Sequence, residues 1–211
     1  MAEPVHREIT LYLFGDTHSL HHELEMPRAS LYVCVGDFTM FSKPESSIHS
    51  FNAWLGERGA PLVLTPGNHE SFLEPHPAKL SMLSNATVLI NESVEVAGLK
   101  IWRSPVPPSP EQRSVSPLPL TAAVSMQPSP TTPTSSSRMD RSSAFSMWYP
   151  APTTTREIPS SWGGAAHVFG HVHGAYGMEE AGGTLYVNAA LLSQDGDIDR
   201  KPVVIRLSAD T

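Results

Sequence analysis

Four short segments constrain the fold more than anything else in this sequence, because each ends an apolar run in a glycine beside residues that can bind a metal ion. The segments are Gly15-Asp16-Thr17-His18, Gly36-Asp37-Phe38-Thr39, Thr65-Pro66-Gly67-Asn68-His69-Glu70 and Gly170-His171-Val172-His173. A short apolar run bounded by turn residues is typical of a buried strand. Carboxylate, imidazole and amide groups at four strand ends indicate a metal centre.

The first part of the chain alternates strand and helix patterns. Three continuous apolar runs predict buried parallel strands: Ile9–Phe14, Leu31–Val35 and Pro61–Leu64. Between the second and third runs, Ser42 and Glu45 have the spacing of a capping box, and Ile48, Phe51 and Leu55 form one apolar face. These patterns predict the order strand, loop, helix, strand.

The later patterns predict one more helical segment and six more strands. Phe72–Leu83 has a helical pattern that Pro75 and Pro77 interrupt. The strand-like runs are Ala86–Ile90, Ser93–Val96, Leu99–Trp102, Ala165–Phe169, Thr184–Asn188 and Val203–Leu207. We therefore predict an α/β (α+β) fold, in which two β-sheets pack face to face as a sandwich flanked by helices. Residues 1–211 are expected to form a single domain.

The segment Ser104–Ser161 interrupts this pattern. Its 58 residues include 12 Pro, 14 Ser and 7 Thr. Such a composition buries too little apolar surface to offset chain entropy, which predicts that the segment is disordered. It is either a natural insertion or a replacement of folded sequence, and a frame-shifted or mis-spliced stretch is one hypothesis. Reading the coding DNA in the other two frames tests that hypothesis.

Composition narrows the class of partners. The net charge is −7, which argues against nucleic-acid polymers and anionic membrane surfaces as partners. An acidic protein can still bind a small phosphorylated substrate when a cation lies in the site. No run approaches the ~18 apolar residues of a membrane span. The only cysteine, Cys34, lies inside an apolar run and is expected to be a small buried hydrophobe. A cytoplasmic protein is the expectation.

The four segments contain ligands that suit two adjacent cations. The Asp37 carboxylate has two oxygens and follows a glycine, so it could bridge two ions. Asn68 offers a neutral amide oxygen. His171 and His173 could converge on two ions if they lie in a loop, whereas on a strand their side chains would diverge. Each pair alone is weak, but the conjunction of all four in this order is specific.

These residues resemble those of the calcineurin-like metallophosphoesterase superfamily, and most closely its brain-239-like metallophosphoesterase-domain branch. The resemblance covers about residues 9–103 and 165–207. The matching segments are Gly36-Asp37-Phe38-Thr39, Asn85-Ala86-Thr87, Glu92-Ser93-Val94, His167-Val168-Phe169-Gly170-His171-Val172-His173, Ala175-Tyr176-Gly177 and Gly183-Thr184-Leu185-Tyr186-Val187-Asn188-Ala189-Ala190. It implies a β-sandwich flanked by helices, with two metal ions at the strand ends.

The resemblance also implies a role for each candidate residue. Asp16, His18 and His173 would hold one metal ion. Asn68 and His171 would hold the other, with Asp37 bridging the two. His69 would contact the phosphate and protonate or stabilise the leaving oxygen. A metal-activated hydroxide would attack phosphorus, and the ligand set suits Mn, Fe or Zn, with Mn favoured. The implied enzyme is a phosphodiesterase for cyclic nucleotides or similar diesters.

The sequence departs from the family pattern in two places. Between His69 and His171 the family has a further histidine ligand on a strand, but here the only histidines are His76 and His167, and neither is correctly placed. Met40 occupies a position where many members have an acid that orients the catalytic histidine. A catalytically impaired relative that binds a metal ion or a nucleotide, or acts as a scaffold, is therefore the alternative prediction.

Overall fold

The computed structural model describes residues 6–41, 45–103, 123–128, 155–159 and 164–210. Within these ranges there are two six-stranded β-sheets, one α-helix and several short 3-10 helices. The strands are β1 His6–Phe14, β2 Leu31–Cys34, β3 Leu62–Leu64, β4 Thr87–Val88, β5 Ser93–Val96, β6 Leu99–Arg103, β7 Ala123–Pro128, β8 Thr155–Ile158, β9 Ala165–Phe169, β10 Gly177–Ala181, β11 Thr184–Asn188 and β12 Val203–Asp210. The α-helix, α1, is Ser46–Gly56.

The first sheet has the strand order β4-β3-β2-β1-β12-β8. Strands β1 to β4 are parallel, and β12 is antiparallel to β1. The second sheet has the order β10-β11-β9-β7-β6-β5 and is mixed, with β9 and β11 parallel. The prediction of a two-sheet fold is confirmed. That residues 1–211 form one domain stays a prediction.

Two apolar cores hold these layers together. One lies between the sheets and takes side chains from both, such as Leu11 of β1 and Val168 of β9. The other lies between the first sheet and α1, where Cys34 packs with Phe51 and Trp54. Cys34 is a buried free cysteine, as its place in an apolar run predicted. The first sheet therefore packs against the second sheet on one face and against α1 on the other. Because both of its faces are buried, its strands are continuous apolar runs.

Several element boundaries differ from the sequence-based expectation. Residues 42–44 lie outside the described ranges, and Glu45 makes no side-chain capping bond at the start of α1. The predicted helix Phe72–Leu83 is a 3-10 helix restricted to Pro77–Leu83, because the prolines exclude an earlier start. Strand β10, which the sequence analysis missed, pairs with β11 across Gly182 and Gly183, which have φ angles of 57° and 75°.

The expectation that all of Ser104–Ser161 is disordered is wrong for two strands. Strand β7 pairs with both β6 and β9 in the interior of the second sheet, and β8 pairs with β12 at an edge of the first. Local alternation of Val124, Met126 and small residues suits a strand, and backbone pairing to two neighbours outweighs the composition of the surroundings. Apart from Pro159, the other residues of the segment lie outside the described ranges.

No helix among the described residues is long and apolar enough to cross a membrane.

Candidate metal centre

The predicted site residues lie in four loops that converge at one edge of the sandwich. Strands β1, β2 and β3 are parallel neighbours, so the loops after Phe14, Cys34 and Leu64 emerge side by side. The loop after β9 joins them from the second sheet, where the His171 N–H donates to both oxygens of Asp16 at 2.9 Å. The two sheets thus contribute to one cluster of side chains.

The backbone at this edge is strained. Asp16, His18, Asp37 and His171 have φ angles of 52°, 43°, 51° and 70°. Residues other than glycine rarely adopt positive φ, and such conformations persist where the surrounding structure imposes them, often at functional sites. Four of the six residues predicted to bind metal therefore occupy costly conformations that aim their side chains into the cluster.

Two glycines allow the carboxylates to approach neighbouring backbone closely. A Cβ atom at Gly67 would lie 2.6 Å from the Asp37 nitrogen and still closer to one of its carboxylate oxygens. A Cβ atom at Gly170 would overlap a carboxylate oxygen of Asp16. The glycine in each motif is thus required by space, because any side chain there would displace a predicted metal ligand.

The first predicted ligand group comes together in the structure. Ligand atoms of Asp16, His18 and His173 all lie within 4.8 Å of one another. His173 Nε2 lies 3.2 Å from an Asp16 oxygen. Burial raises the pKa of Asp16, and the contact with Asp16 raises the pKa of His173. Burial lowers the pKa of His18 to about 4, so its imidazole is neutral and available as a ligand.

The second predicted group, Asp37, Asn68 and His171, also meets. His171 Nδ1 lies 3.6 Å from an Asp37 oxygen. The oxygen end of the Asn68 amide lies 2.9 Å from His171 Nδ1, and 2.9 and 3.2 Å from the two Asp37 oxygens. Rotating the amide would turn these contacts into hydrogen bonds, whereas a cation would satisfy them without rotation. Burial alone would raise the pKa of Asp37, but contacts with His171 and the His69 N–H lower it.

The donor set fits divalent cations. It offers carboxylate, imidazole and amide ligands, which suit Mn, Fe or Zn. His18 Nε2 is buried and has no hydrogen-bond partner among the described residues. A buried nitrogen without a partner is uncommon, and a metal ion would satisfy it. The residues present therefore fit a metal centre, and binding would compete with protonation of His171 and His173, whose pKa values are raised.

His69 lies at the junction of the two groups. Its N–H donates to Asp37 at 2.9 Å, and its ring stands at 88° to the His18 ring with centroids 4.3 Å apart. Its Nδ1 lies 3.2 Å from the Thr39 carbonyl oxygen. Ligand atoms of His18, Asp37 and His69 also lie within 4.8 Å of one another. The His69 ring is therefore close enough to contact a molecule that is bound at the metal site.

Glu70 is a structural residue that the sequence analysis did not single out. Its carboxylate is buried and accepts hydrogen bonds from the Thr39 N–H at 2.8 Å, the Thr39 hydroxyl at 2.7 Å and the Gly67 N–H at 3.2 Å. Burial raises its pKa to about 8. These bonds tie the loop after β2 to the loop after β3. The sequence signal was an acid directly after the Asn-His pair.

Asn188 has a similar role on the other side of the site. Its amide donates to the Val172 carbonyl at 2.8 Å and accepts from the Ala190 N–H at 3.1 Å. It therefore holds the loop that carries His171 and His173. The sequence signal was its position at the end of a strand-like run, on the same edge of the fold as the ligand motifs.

The two histidines between His69 and His171 lie away from the metal centre. His76 is exposed beside Phe72, where its Nδ1 lies 2.7 Å from the Phe72 carbonyl. His167 lies in mid-strand on β9, opposite the buried face, with its ring near Tyr186. Met40 occupies the position where many members of the superfamily have an acid, and its sulfur lies 3.3 Å from His18 Nδ1.

Comparisons with known proteins agree with this geometry. A family model described as calcineurin-like phosphoesterase matches residues 9–175. Metallophosphoesterase domain-containing protein 1 of Homo sapiens is 26% identical over 243 aligned residues, covering 92% of this chain and 69% of the human protein. Its Mus musculus counterpart gives the same values. UPF0046 protein T07D4.2 of Caenorhabditis elegans is 24% identical over 233 residues, covering 90% of this chain and 58% of that protein.

The family match spans well over half of the chain and includes every predicted site residue. It confirms the superfamily expected from the motifs, and the relatives support the branch. The chain therefore belongs to the calcineurin-like phosphoesterase family, and it is a metallophosphoesterase, a metal-dependent hydrolase of phosphoric esters.

Proposed function

We propose that the chain is a phosphodiesterase that uses two divalent cations, with Mn favoured. Asp16, His18 and His173 would hold one cation, and Asn68 and His171 the other. One observation carries the proposal. The Asp37 carboxylate reaches both groups, since it lies within 4.8 Å of the His18 ligand atom and 3.6 Å from His171 Nδ1. This position supports Asp37 as the bridging ligand.

When bound, such cations lower the pKa of water and neutralise charge that develops on the phosphoryl oxygens. The chain's own residues orient the reacting groups. The His69 N–H fixes one Asp37 oxygen, so the bridge between the two ligand groups is held in place. If His69 Nδ1–H donates to the Thr39 carbonyl, Nε2 is the atom that can give a proton to the leaving oxygen.

The substrate class is proposed on the branch resemblance, which favours cyclic nucleotides or similar diesters. A net charge of −7 supports a small phosphate ester rather than a nucleic-acid polymer or a membrane surface as partner. A cytoplasmic location is proposed on the single cysteine, which is buried and free.

A catalytically impaired, ligand-binding relative is the second candidate. The observation in its favour is that, among the residues the structure describes, the second ligand group has only Asp37, Asn68 and His171, because His76 and His167 lie away from it. Such a protein would bind one cation firmly and the other weakly. It would then act through what it binds.

Metal content and turnover together separate the two candidates. Protein loaded with Mn is assayed for metal per chain and for hydrolysis of a phosphate diester with an alkyl leaving group, next to His69→Ala and the matched control His76→Ala. Two cations per chain, with turnover that is lost in His69→Ala and kept in His76→Ala, support the enzyme. One cation or none, without turnover, refutes it and supports the binding protein.

A further inference from the structure

Phe41 is an exposed aromatic residue in an unfavourable backbone conformation. It lies at the edge of the site, and 64% of its surface is exposed. Its φ angle is 52°, a value that a bulky residue rarely adopts. The presence of an aromatic residue here is explained neither by burial in a core nor by a favourable backbone conformation. Its contacts therefore have to account for it.

Those contacts are with the imidazole of His69. The two rings are nearly parallel, with centroids 4.1 Å apart and planes at 15°. The Phe41 N–H lies 3.4 Å from His69 Nδ1, next to the Thr39 carbonyl at 3.2 Å. Glu70 in turn fixes Thr39 through two hydrogen bonds. Residues 39–41 thus surround the Nδ1 edge and one face of the imidazole.

We propose that Phe41 is a positioning residue for His69. A hydrogen bond at Nδ1 fixes one atom of the ring but leaves the ring plane able to tilt. Stacking by Phe41 removes that freedom, because an aromatic face in contact with the imidazole holds its plane. Nε2 then keeps a constant direction toward the leaving oxygen. The inference rests on the proposed function, since it takes His69 to be the residue that serves the leaving group.

A glycine variant separates positioning from a structural role. Phe41→Gly removes the ring and also relieves the positive φ angle, because glycine adopts it without strain. We expect the melting temperature to stay the same or rise. We also expect kcat for a diester with an alkyl leaving group to fall roughly 10- to 100-fold, because misplaced catalytic groups lose rate steeply.

The leaving group supplies a second readout. A nitrophenolate departs without proton transfer, so the nitrophenyl diester should lose much less rate than the alkyl diester in Phe41→Gly. Phe41→Tyr keeps an aromatic ring at this position and should hydrolyse the alkyl diester at the rate of the unsubstituted protein. Phe72→Ala is the matched control, because Phe72 is an aromatic residue beside His76 rather than His69, and it should leave both rates unchanged.

The outcomes distinguish this inference from the proposed function. His69→Ala should show the same preference for the nitrophenyl ester, and adding Phe41→Gly to it should have no further effect. If His69→Ala shows the preference and Phe41→Gly does not, the role of Phe41 is refuted alone. An equal loss on both esters, or a change in KM alone, would mean that the ring contacts substrate instead and also refutes it. If His69→Ala shows no preference, proton transfer from His69 to the leaving oxygen is refuted, and the role of Phe41 falls with it, whereas the two-cation phosphodiesterase is refuted only by the metal and turnover measurements.

Discussion

Gly67→Ala tests whether close backbone approach builds the metal centre. A Cβ atom at residue 67 would lie 2.6 Å from the backbone nitrogen of Asp37 and 2.8 Å from its carboxylate carbon. Cβ atoms essentially never lie within 3.0 Å of a heavy atom outside their own and the neighbouring residues, so the Asp37 backbone nitrogen has to move by about 0.4 Å or more. Because backbone as well as side chain is in the way, rotation of the carboxylate cannot relieve the clash.

The expected loss follows from what Asp37 does. Overpacking of this kind lowers the free energy of unfolding by about 1–3 kcal/mol. Weakening the hydrogen bond from the His69 N–H to the Asp37 carboxylate lowers it by a further ~1.5–3 kcal/mol. Displacement of a bridging ligand by a fraction of an ångström should reduce kcat by roughly 10- to 100-fold. We expect the second cation to be lost before the first, because Asn68 and His171 depend on Asp37 for their geometry.

Three measurements check this prediction: metal per chain, kcat on the nitrophenyl diester, and the free energy of unfolding in urea. Gly59→Ala is the control, because a Cβ atom there meets nothing within 4 Å although φ is 69°. It should cost about 1–2 kcal/mol of stability and leave metal content and rate intact. A Gly67→Ala protein with two cations and an unchanged kcat would refute the reasoning.

Three further predictions concern residues around the site. Glu70→Ala removes the hydrogen-bond acceptor for Thr39 and Gly67, so it should lower the free energy of unfolding by about 3–5 kcal/mol in urea titrations. A loss below about 1 kcal/mol would contradict the role of Glu70 in joining the two loops. Burial lowers the pKa of His21 to about 4, so as the pH falls this histidine is protonated in the unfolded chain before it is protonated in the folded protein. The free energy of unfolding should therefore decrease between about pH 6.5 and about pH 4, by roughly 1–3 kcal/mol more than in His21→Gln. Burial raises the pKa of the Cys34 thiol, so a thiol reagent should modify it only at the rate of global unfolding, and rapid labelling of the native protein would contradict its place in the core.

The ligand motifs could be found from sequence because their signal is local. Gly-Asp, Asn-His and Gly-His-x-His each put a turn residue next to a ligand, and the preceding apolar run gives the strand that positions them. The two-sheet fold followed from the same periodicities. The structure then added what spacing cannot show, namely that an Asp37 oxygen lies within 4.8 Å of a His18 ring nitrogen and the carboxylate also lies 3.6 Å from His171 Nδ1.

Other parts of the site depend on tertiary approach and could not be predicted. Glu70 meets Thr39 across 31 positions of sequence, and Phe41 stacks on His69 across 28, so neither pair leaves a pattern in the chain. Strand β7 was missed for a different reason. A composition rich in proline, serine and threonine argues for disorder, but an open position between β6 and β9 rewards any segment whose backbone can pair on both sides.

The hydrogen bonds from His171 to Asp16 join residues 155 positions apart, and they have a consequence for how the protein is made. Loop closure over such a distance comes late in folding, because its entropy is lost before the contacts form. The half of the chain synthesised first carries Asp16 and Asp37, whose like charges oppose each other until their partners arrive. We expect a cation present during refolding to speed recovery of active protein, whereas the same cation added afterwards should rescue only chains that have already folded.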